Sequence, residues 1–497
     1  MAISKNSFKF FLSFVLLTVG LNCKSQIKAV EQTTSASVAG TLTVSADGVF
    51  MRDGKVYQGM GVNYFNAFYR TILKNNDKTY NAGFKYLSDN KIPFIRFTTN
   101  GFWPSELKLY RDNKAIYFTL LDEFVKSAET YGIGLIPSLF WFYAAVPDLV
   151  GEHINQWGNV NSKTIAFMRT YTAEIVNRYK DSPAIWGWEL GNEWNSYVDL
   201  LDQAINFLPK VSVSQGTPAS RTIEDAFTTD ILQTALNEFA KVVRLYDSNR
   251  PILSGNGMPS VNSYHRYKFK NWIQDTTSDF TLVLDAQNAS LGTLTLHPYP
   301  YQEGKYFTGI NASLTRIIEE SVRSSKELKH PLFIGEFGSP KTLGATIEAQ
   351  KFQELMSAII ANKVQLSAVW VYDFTSQDAD WNITQTNSRK YQLDAVINAN
   401  AQFLLSAGNV EIKNQIQNYS VYPNPAIDNI QLKVNASTAA TQSMSYALYD
   451  MQGRLLDTKM ILSELTNVAT NNLVPSIYFM KIIEGDKEVK VFKIMKN

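Results

Sequence analysis

The sequence predicts a (β/α)8 barrel followed by a small all-β sandwich, and three observations support this fold class. Eight short apolar runs follow one another, segments with helical spacing separate them, and near Asn409 the chain changes to short alternating runs. Eight buried strands that alternate with amphipathic helices over roughly 350 residues are typical of a closed parallel barrel. An open doubly wound sheet has a similar alternation, but no glycine-rich phosphate loop follows these strands, which disfavours it.

The first residues have the pattern of an export signal. Lys5 and Lys9 precede an apolar run at residues 10–21, which is too short to span a bilayer comfortably. We therefore expect a signal peptide over residues 1–26 and a linker over residues 27–41. The mature protein is then expected to leave the cytoplasm, because such signals direct export and are removed.

The only cysteine, Cys23, lies within this signal. Cleavage near Gln26 would remove it, and a single cysteine allows no disulfide within one chain. Lipidation of Cys23 is the alternative, and it is disfavoured by Asn22, which stands where such signals usually carry a small residue.

Composition and charge limit the classes of partner. The chain has 497 residues, 45% of them hydrophobic and 19% charged, with a formal net charge of +2 and no long block of one sign. This composition suits a large folded core and gives no attraction to nucleic acid or to a strongly anionic polymer. We expect a neutral partner, no stable membrane insertion and a monomer.

A hairpin opens the barrel domain, which we expect over residues 42–407. The Asp47-Gly48 and Asp53-Gly54 pairs divide short alternating runs, as hairpin turns do. The eight predicted barrel strands then follow at residues 61–65, 94–99, 134–141, 185–190, 251–255, 293–297, 331–336 and 366–374.

Helical patterns lie between the strands. A helix that begins at Ser162 keeps Ile165, Met168 and Ile175 on one face until Pro183 stops it. Similar faces are formed by Leu232, Leu236, Phe239 and Val243, and by Phe352, Leu355 and Ile359.

A linker is expected over residues 408–418 and a different domain over residues 419–497. Short alternating runs, divided by turns such as Gln452-Gly453, show no helical period and predict a small antiparallel sandwich. The residues alone are compatible with an adhesive module, a carbohydrate-binding module or an export tag.

Polar residues at the carboxyl ends of the predicted strands are candidates for a site, because these ends face one pocket in a parallel barrel. Two of them are glutamates: Glu193 follows the fourth strand, and Glu336 ends the seventh. The other polar or aromatic residues at strand ends are Asn63, Arg96, Asn192, Asn256, His297, Tyr299, Trp370 and Asp373.

The two glutamates suit an acid and nucleophile pair. Glu193 lies in a tryptophan-rich stretch, and a carboxylic acid held against indole rings resists ionising and can donate a proton. If Arg96 and the Tyr299 hydroxyl point at Glu336, its ionised form is favoured and it can act as a nucleophile. Glycoside hydrolysis uses such a pair, with the carboxyls roughly 5 Å apart when configuration is retained.

The remaining candidates suit sugar binding. Asn192 is placed to bind the 2-hydroxyl of the sugar, His297 to orient the acid or contact substrate, and Trp370 to form the floor of the subsite. Stacking faces for further sugar units are offered by Trp103, Trp141, Trp194 and Trp381. Each residue taken singly is compatible with packing or with a solvated strand end, and the pair of carboxylates in this order favours the catalytic interpretation.

The motifs "VYQGMGVNYF", "WGWELGNE", "HPY", "IGEFG" and "VWVYDF", together with Arg96, resemble in their order the clan A glycoside hydrolases, and most closely glycoside hydrolase family 5, the cellulase and β-mannanase family. The resemblance covers Leu42 to about Leu405. It implies that Glu193 is the acid/base and Glu336 the nucleophile. The supporting positions it implies are Arg96, Asn192, His297, Tyr299 and Trp370.

The C-terminal domain resembles a known export tag. With "VYPNP" at its start, "YDMQGRLL" in its middle and a lysine-rich end, it is similar to the type A C-terminal sorting domain of type IX secretion substrates over Val421 to Asn497. The resemblance implies contact with the secretion machinery, passage through the periplasm and outer membrane of a Gram-negative cell, and removal of the domain.

The substrate is less closely defined than the chemistry. Trp194 stands where the family usually has proline, and "WFYAAVP" stands where a histidine is expected after the third strand. We expect an endo-β-1,4-mannanase, because the hairpin before the first strand resembles that of the mannanase branch. A β-1,4-glucanase or an exo-acting β-glycosidase is the alternative.

Two readings from other classes stay open. A non-catalytic sugar-binding barrel is disfavoured because binding alone needs neither carboxylate. A metal-dependent hydrolase is disfavoured because His153, His265 and His330 have no paired spacing of the HExxH kind. We expect no metal and no cofactor.

Overall fold

The structure, a computed structural model, describes residues 38–413, 419–434, 444–451, 453–485 and 487–496. The predicted signal peptide with Cys23 lies outside these ranges, as do residues 27–37 of the first linker and 414–418 of the second. Within the ranges described, every helix is too short or too polar to cross a bilayer.

A three-stranded antiparallel sheet precedes the barrel, as the hairpin prediction requires. Its strands are β1 (Leu42–Val44), β2 (Phe50–Arg52) and β3 (Lys55–Val56). Gly48 and Gly54 have φ angles of 70° and 75° at the two turns, in the left-handed region where glycine is favoured. The two Asp-Gly pairs therefore set the turns of this sheet.

Eight parallel strands form the barrel, and each overlaps one of the predicted apolar runs. They are β4 (Gly59–Asn63), β5 (Phe94–Thr98), β6 (Gly134–Phe140), β7 (Trp188–Gly191), β8 (Ile252–Leu253), β9 (Leu294–Leu296), β12 (Leu332–Phe337) and β13 (Leu366–Val369). A short antiparallel hairpin, β10 (Gly304–Phe307) and β11 (Ile310–Ala312), is inserted before β12.

The strand order confirms a barrel and excludes the open doubly wound sheet. Pairing runs without a break from β8 through β7, β6, β5, β4, β13 and β12 to β9, so the first and last strands in sequence are neighbours. Between β8 and β9 the Thr293 hydroxyl donates to the Ile252 carbonyl oxygen at 2.5 Å. This contact brings the two free edges of the sheet together.

Helices surround the barrel, and side-chain caps begin several of them. Ser162, Thr228 and Ser313 each accept a hydrogen bond from the N–H three residues further on, which satisfies a donor that the helix leaves free. The helices are α1 (Tyr69–Leu73), α2 (Tyr80–Asp89), α3 (Lys108–Asp112), α4 (Lys114–Tyr131), α5 (Ala145–Val150), α6 (Lys163–Tyr179), α7 (Thr229–Tyr246), α8 (Ser263–Phe269), α9 (Thr277–Asn288), α10 (Leu314–Leu328), α11 (Ala345–Ala361) and α12 (Lys390–Lys413).

The amino end of the barrel is apolar and the N-terminal sheet closes it. One buried cluster contains Phe94, Trp186, Phe333 and Leu366 from the barrel with Leu42 and Phe50 from the sheet. Gln365 joins the two parts: its Oε1 accepts from the Phe50 N–H at 2.9 Å, and its Nε2 donates to the carbonyl oxygens of Phe50 and Tyr57 at 3.0 Å each. Among the described residues, the N-terminal sheet and apolar side chains therefore cover the amino end of the barrel.

The C-terminal region is a sandwich of two antiparallel sheets, as predicted. One sheet contains β14 (Tyr419–Tyr422), β15 (Asn429–Val434) and β18 (Leu465–Ala469); the other contains β16 (Met444–Tyr449), β17 (Leu455–Met460), β19 (Ser476–Glu484) and β20 (Lys487–Lys496). Leu432 and Val468 from the first sheet and Tyr446 and Met480 from the second share one buried core. The domain bounds given above stay a prediction.

Replacing Gln365 by alanine is expected to loosen the closed end of the barrel. The Phe50 N–H and two carbonyl oxygens would lose their partner, which costs about 2 kcal/mol of the free energy of unfolding. All nine tryptophans lie between residues 103 and 381, so tryptophan fluorescence during urea denaturation follows the barrel alone. Gln353→Ala, at an exposed position of α11, is the matched control; equal stability of the two variants would contradict the prediction.

Candidate active site

Five buried polar side chains share the carboxyl end of the barrel. Asn63, Arg96, Glu189 and Glu336 belong to strands β4, β5, β7 and β12, and His297 directly follows β9. Each of these residues is at most 4% exposed. Charged groups are rarely buried to this degree unless they are paired, so the contacts among the five decide what the site can do.

Arg96 lies at the centre of the cluster and uses all three of its nitrogens. Nε donates to both carboxylate oxygens of Glu189 at 2.9 Å. Nη1 donates to Glu336 Oε1 at 2.8 Å and to Asn63 Oδ1 at 3.0 Å. Nη2 donates to Asn192 Oδ1 at 2.8 Å. One buried cation thus positions Glu336 and the residue that precedes Glu193 in the chain.

Glu336 is held from two sides. Besides the bond from Arg96, its Oε2 accepts a hydrogen bond from the Tyr299 hydroxyl at 2.7 Å. Its side chain is only 6% exposed. Both oxygens of this carboxyl group are therefore fixed by donors, as the sequence analysis anticipated for a group that acts in its ionised form.

Glu193 stands on the turn that follows β7, and its side chain is partly exposed to solvent. Its φ of 52° lies in the left-handed region, which is uncommon for a residue with a side chain, and its N–H donates to the Gly255 carbonyl oxygen at 2.8 Å. Its side chain is 33% exposed, and Oε1 lies 2.9 Å from His297 Nδ1. A Cβ at position 257 would come within 2.9 Å of Glu193 Oε1, so Gly257 leaves room for this carboxyl group.

The two glutamates are brought together from distant parts of the chain. One carboxylate oxygen of Glu193, one of Glu336 and a ring nitrogen of His297 all lie within 4.8 Å of one another. Carboxyl groups of retaining glycosidases are separated by roughly 5 Å, and those of inverting enzymes by more, to leave space for a water molecule. The limit of 4.8 Å between these atoms is compatible with the shorter of the two separations.

Burial raises the pKa of both glutamates. For Glu336 the charge of Arg96 and the hydrogen bond from the Tyr299 hydroxyl oppose that rise, whereas the neighbouring Glu193 adds to it; His297 would oppose it only in its charged form. For Glu193 the charge of Arg96 opposes the rise. We therefore regard Glu336 as the member of the pair that ionises first, although its pKa is raised and not, as the sequence analysis expected, simply lowered by its donors.

His297 is neutral in this environment. Complete burial and the nearby Arg96 lower the pKa of His297 to about 3, against the effect of Glu336. Its Nε2 has no hydrogen-bond partner among the described residues, whereas its Nδ1 lies 2.9 Å from Glu193 Oε1. An unpartnered buried N–H is rarer than an unpartnered acceptor, which places the proton on Nδ1, donating to Glu193 Oε1. A proton on the Glu193 carboxyl would then sit on its other oxygen.

The indole rings near Glu193 in the sequence do not lie against it, which corrects one expectation. Trp186 packs in the apolar amino end of the barrel, and Trp188 donates its N–H to Asp247 Oδ2 at 2.8 Å. Trp194 is 1% exposed, packs on Trp157, and donates its N–H to the Phe140 carbonyl oxygen. Trp194 therefore has no free face for a sugar, and the environment that opposes ionisation of Glu193 is the burial of the whole cluster.

Other aromatic side chains do line the candidate site. Trp370 and Trp141 stack with ring centroids 6.0 Å apart, and Trp141 also covers the Arg96 guanidinium at 4.8 Å. Trp370 donates its N–H to Gln377 Oε1 at 2.9 Å, which fixes the plane of its ring. Trp381 packs edge-on against Tyr299 at 5.1 Å.

One predicted stacking residue, Trp103, and two predicted strand-end residues, Asn256 and Asp373, lie outside the cluster. Trp103 is partly buried on the loop after β5 and packs edge-on against the neighbouring Phe102. Asn256 donates to the Gln287 carbonyl oxygen at 2.6 Å and supports the loop after β8. Asp373 pairs with Arg70 at 3.1 Å.

Two residues of the site were missed from the sequence. Glu189 was read as part of an apolar strand, although its position four residues before Glu193 in "ELGNE" was a usable signal. Tyr301 is 70% exposed and stacks on Tyr299 with centroids 5.6 Å apart, so it extends the aromatic surface outward from Glu336. Tyr301 lies two residues after Tyr299 in "HPYPYQ", which was a usable signal that it is close to the site.

The cluster is better suited to proton transfer than to a metal ion. Glu193, His297 and Glu336 offer three donor atoms within reach of one ion. However, the Arg96 guanidinium lies 2.8 Å from Glu336 and already places a positive charge beside that carboxylate. A second group, His265, Asp275 and Asp279, is engaged in hydrogen bonds that cap α8 and α9.

Two family models match the chain. The model described as "Cellulase (glycosyl hydrolase family 5)" matches residues 53–378, which is more than half of the sequence. The model described as "Secretion system C-terminal sorting domain" matches residues 420–497. Together the two matched segments contain the barrel strands β4 to β13 and the sandwich, and the second identifies the sandwich as a sorting domain.

Curated relatives match part of the barrel. The chain is 28% identical over 202 residues to mannan endo-1,4-beta-mannosidase A of Podospora anserina, covering 36% of this chain and 51% of that protein. It is 30% identical over 190 residues to mannan endo-1,4-beta-mannosidase F of Aspergillus clavatus, covering 33% of this chain and 41% of that protein. The matches thus span about half or less of these relatives.

Solved structures share the fold. An endo-beta-1,4-mannanase from Thermotoga petrophila is 14% identical, with a TM-score of 0.50 over 90% of this chain and 99% of that one. A glycoside hydrolase family 5 mannosidase from Rhizomucor miehei is 12% identical, with a TM-score of 0.51 over 75% of this chain and 100% of that one. Identities this low support the barrel fold and nothing finer.

His297 is expected to remain neutral across the range in which histidines usually titrate. Its pKa of about 3 means that its ring resonances stay constant between about pH 5 and 8, with the proton on Nδ1. Nitrogen-15 NMR of the four histidines checks both points, and His297→Asn identifies the resonances of His297. A titration midpoint near the ordinary value of 6.5, or a proton on Nε2, would refute the assignment.

Proposed function

The chain belongs to glycosyl hydrolase family 5, and from this premise we propose that it is a retaining β-glycosidase that cleaves β-1,4-mannan within the polymer. One observation carries the proposal: two carboxyl groups within 4.8 Å of each other, of which only Glu336 is bonded to Arg96 and Tyr299. This difference in donors gives the two carboxyl groups different protonation states, which a double displacement requires.

In the first step Glu336 attacks the anomeric carbon of the sugar. The bond from that carbon to the leaving oxygen breaks as Glu193 gives its proton to the oxygen, and a glycosyl ester of Glu336 forms. In the second step a water molecule gives a proton to the Glu193 carboxylate and attacks the same carbon. The ester bond to Glu336 breaks, so the configuration is retained and both side chains return to their first state.

Arg96 and Asn192 position groups that these two reaction steps require. The Asn192 side-chain oxygen accepts from Arg96, so its NH2 group is turned away from that contact and can donate to the 2-hydroxyl of the bound sugar. That hydrogen bond strengthens as positive charge develops on the sugar ring. His297 donates to one oxygen of Glu193 and leaves the other oxygen to carry the proton that is transferred.

Mannan is the first choice of substrate. Two curated relatives are named mannan endo-1,4-beta-mannosidases, and the exposed Tyr301, which stacks on Tyr299, provides aromatic surface for neutral sugar rings. A β-1,4-glucan is the second candidate, because the matching family model is described as a cellulase. A barrel that only binds sugars has no need of two paired carboxyl groups.

Export through the C-terminal domain completes the proposal. The sorting domain over residues 420–497 is the signal for type IX secretion, so the hydrolase would act outside the cell on polymers that cannot enter it.

A defined set of substrates tests the activity. The purified barrel should release oligosaccharides from β-1,4-mannan, with β-1,4-glucan and aryl β-glycosides as the comparison. Glu193→Gln should lower kcat on mannan by about 10²- to 10⁴-fold, because no acid then protonates the leaving group, and Glu336→Gln should lower it at least as much. Proton NMR of the first products should show the β anomer.

Glu319→Gln, on the exposed side of α10, is the control for an unspecific effect of the substitution. Wild-type turnover by Glu336→Gln on every substrate would refute the catalytic assignment. First products of α configuration would refute the retaining mechanism but not the hydrolase activity. Release of single sugars from the chain end would show that the enzyme cleaves in an exo and not an endo mode.

Removing residues 420–497 is expected to separate export from catalysis. The described barrel core ends at Phe403 and the sandwich core begins at Ala426, so the truncated chain should keep its kcat. In the native host the truncated protein should remain in the periplasm, as cell fractionation and immunoblotting would show. The inactive full-length Glu336→Gln chain is the control and should still be exported; equal export of the truncated chain would contradict the assignment.

A further inference from the structure

Glu189 is a buried ionisable side chain that the mechanism above does not use. It is 0% exposed and lies in β7, two residues before the end of the strand. Both of its carboxylate oxygens are 2.9 Å from Arg96 Nε. Gly255, with a φ of 72°, closes the other side, and a Cβ there would approach Glu189 Cδ to 2.9 Å. Glu189 is therefore bonded to Arg96 through both oxygens, and Gly255 leaves the space that its carboxyl group occupies.

Arg96 is bonded directly to two carboxylates at once. Its Nε faces Glu189 and its Nη1 faces Glu336, at 2.9 and 2.8 Å. Since the guanidinium carries one positive charge, each carboxylate weakens the electrostatic hold of Arg96 on the other. The geometry also matters, because the planar guanidinium turns as a unit, and a carboxylate fixed at Nε sets the direction of Nη1 and Nη2.

We infer that Glu189 is a positioning residue for Glu336: through Nε it orients Arg96, and by sharing the charge of Arg96 it keeps Glu336 basic enough to act as the nucleophile. The inference rests on the proposed function. Glu189 touches neither the substrate nor the reacting atoms, so it acts only through Arg96.

The groups facing Glu336 determine whether removing the charge of Glu189 raises or lowers the pKa of Glu336. They are Arg96 from β5, Glu193 after β7, and His297 and Tyr299 after β9. His297 is neutral, so Arg96 is the only positive charge among them. Burial raises the pKa of Glu189 and the charge of Arg96 opposes that rise, consistent with an ionised Glu189 that shares this cation. Without the charge of Glu189, Arg96 would stabilise ionised Glu336 more strongly.

Glu189→Gln tests the inference, because it keeps the shape of the side chain and removes the charge. We expect kcat/KM to fall about 10- to 100-fold, since Glu336 becomes a weaker nucleophile and Arg96 is less firmly placed. The acidic limb of the pH profile of kcat/KM reports ionisation of the free enzyme, and it should move about one pH unit lower.

Glu348→Gln is the matched control. Glu348 is also a buried glutamate, 5% exposed in its side chain, and it pairs with the Nε of Arg389 at 2.8 Å. It lies in α11, outside the candidate site. This variant should lose stability like Glu189→Gln but leave the acidic limb where it is in the wild type. If Glu189→Gln also loses only stability, with the acidic limb unmoved, the role of Glu189 is structural and the inference is overturned.

Glu189→Asp decides the question if the glutamine variant fails to fold. It keeps the charge but withdraws it from Arg96 Nε by about one carbon–carbon bond, so kcat/KM should fall while the acidic limb moves in the same direction by less. Wild-type values would overturn the inference. Failure of both variants to fold would also overturn it, because Glu189 would then be required for the barrel itself.

A titration without substrate separates this inference from the proposed function. Carbon-13 NMR of chains labelled at the glutamate carboxyl carbon follows ionisation of Glu336 directly, with Glu336→Gln to identify its resonance. A lower pKa of Glu336 in Glu189→Gln supports the inference even if no tested glycan is hydrolysed, a result that would count against the proposed function alone. An unchanged pKa of Glu336 overturns the inference even if mannan is cleaved.

Discussion

The burial of the Arg96 guanidinium is the constraint on which the site depends. A positive charge that is fully removed from water is tolerated only when its N–H groups are bonded to acceptors. The acceptors of Arg96 come from β4, β7 and β12 and from the turn after β7. Arg96 is therefore satisfied only when these strands stand around it in register, so the strand packing that forms the barrel also assembles the site.

The division of the barrel interior into two halves explains why the site is reactive. The amino half is apolar and covered by the N-terminal sheet, whereas the carboxyl half holds the buried polar cluster. With apolar side chains below it and protein around it, the cluster has a low effective dielectric, which raises the pKa of Glu193 and Glu336 and lowers that of His297.

The tryptophan-rich stretch at residues 185–194 is a segment where the hydrophobic pattern predicts a strand but not the direction of its side chains. It predicted a strand from Ile185 to Leu190, but β7 begins only at Trp188, and Trp186 packs inside the barrel whereas Trp188 faces α7. Residues two positions apart in a regular strand face the same side of the sheet. Trp186 and Trp188 face different sides because the strand is interrupted at Gly187. The hydrophobicity of the run does not reveal this interruption. The sequence therefore predicts, wrongly, that the indole rings of Trp186 and Trp188 lie beside Glu193, and it gives no inward-facing position to Glu189.

The alternation of strands and helices, the separate C-terminal sandwich, and the positions of Glu193 after one strand and Glu336 at the end of another could be predicted from the residues alone, because periodicity and turn residues are local properties. The packing of the folded chain was needed to learn that Arg96 is shared between Glu189 and Glu336, that Trp194 is buried, and that His297 is neutral. These facts depend on which side chains meet across the barrel and on how much water they exclude, and neither quantity is carried by neighbouring residues in the chain.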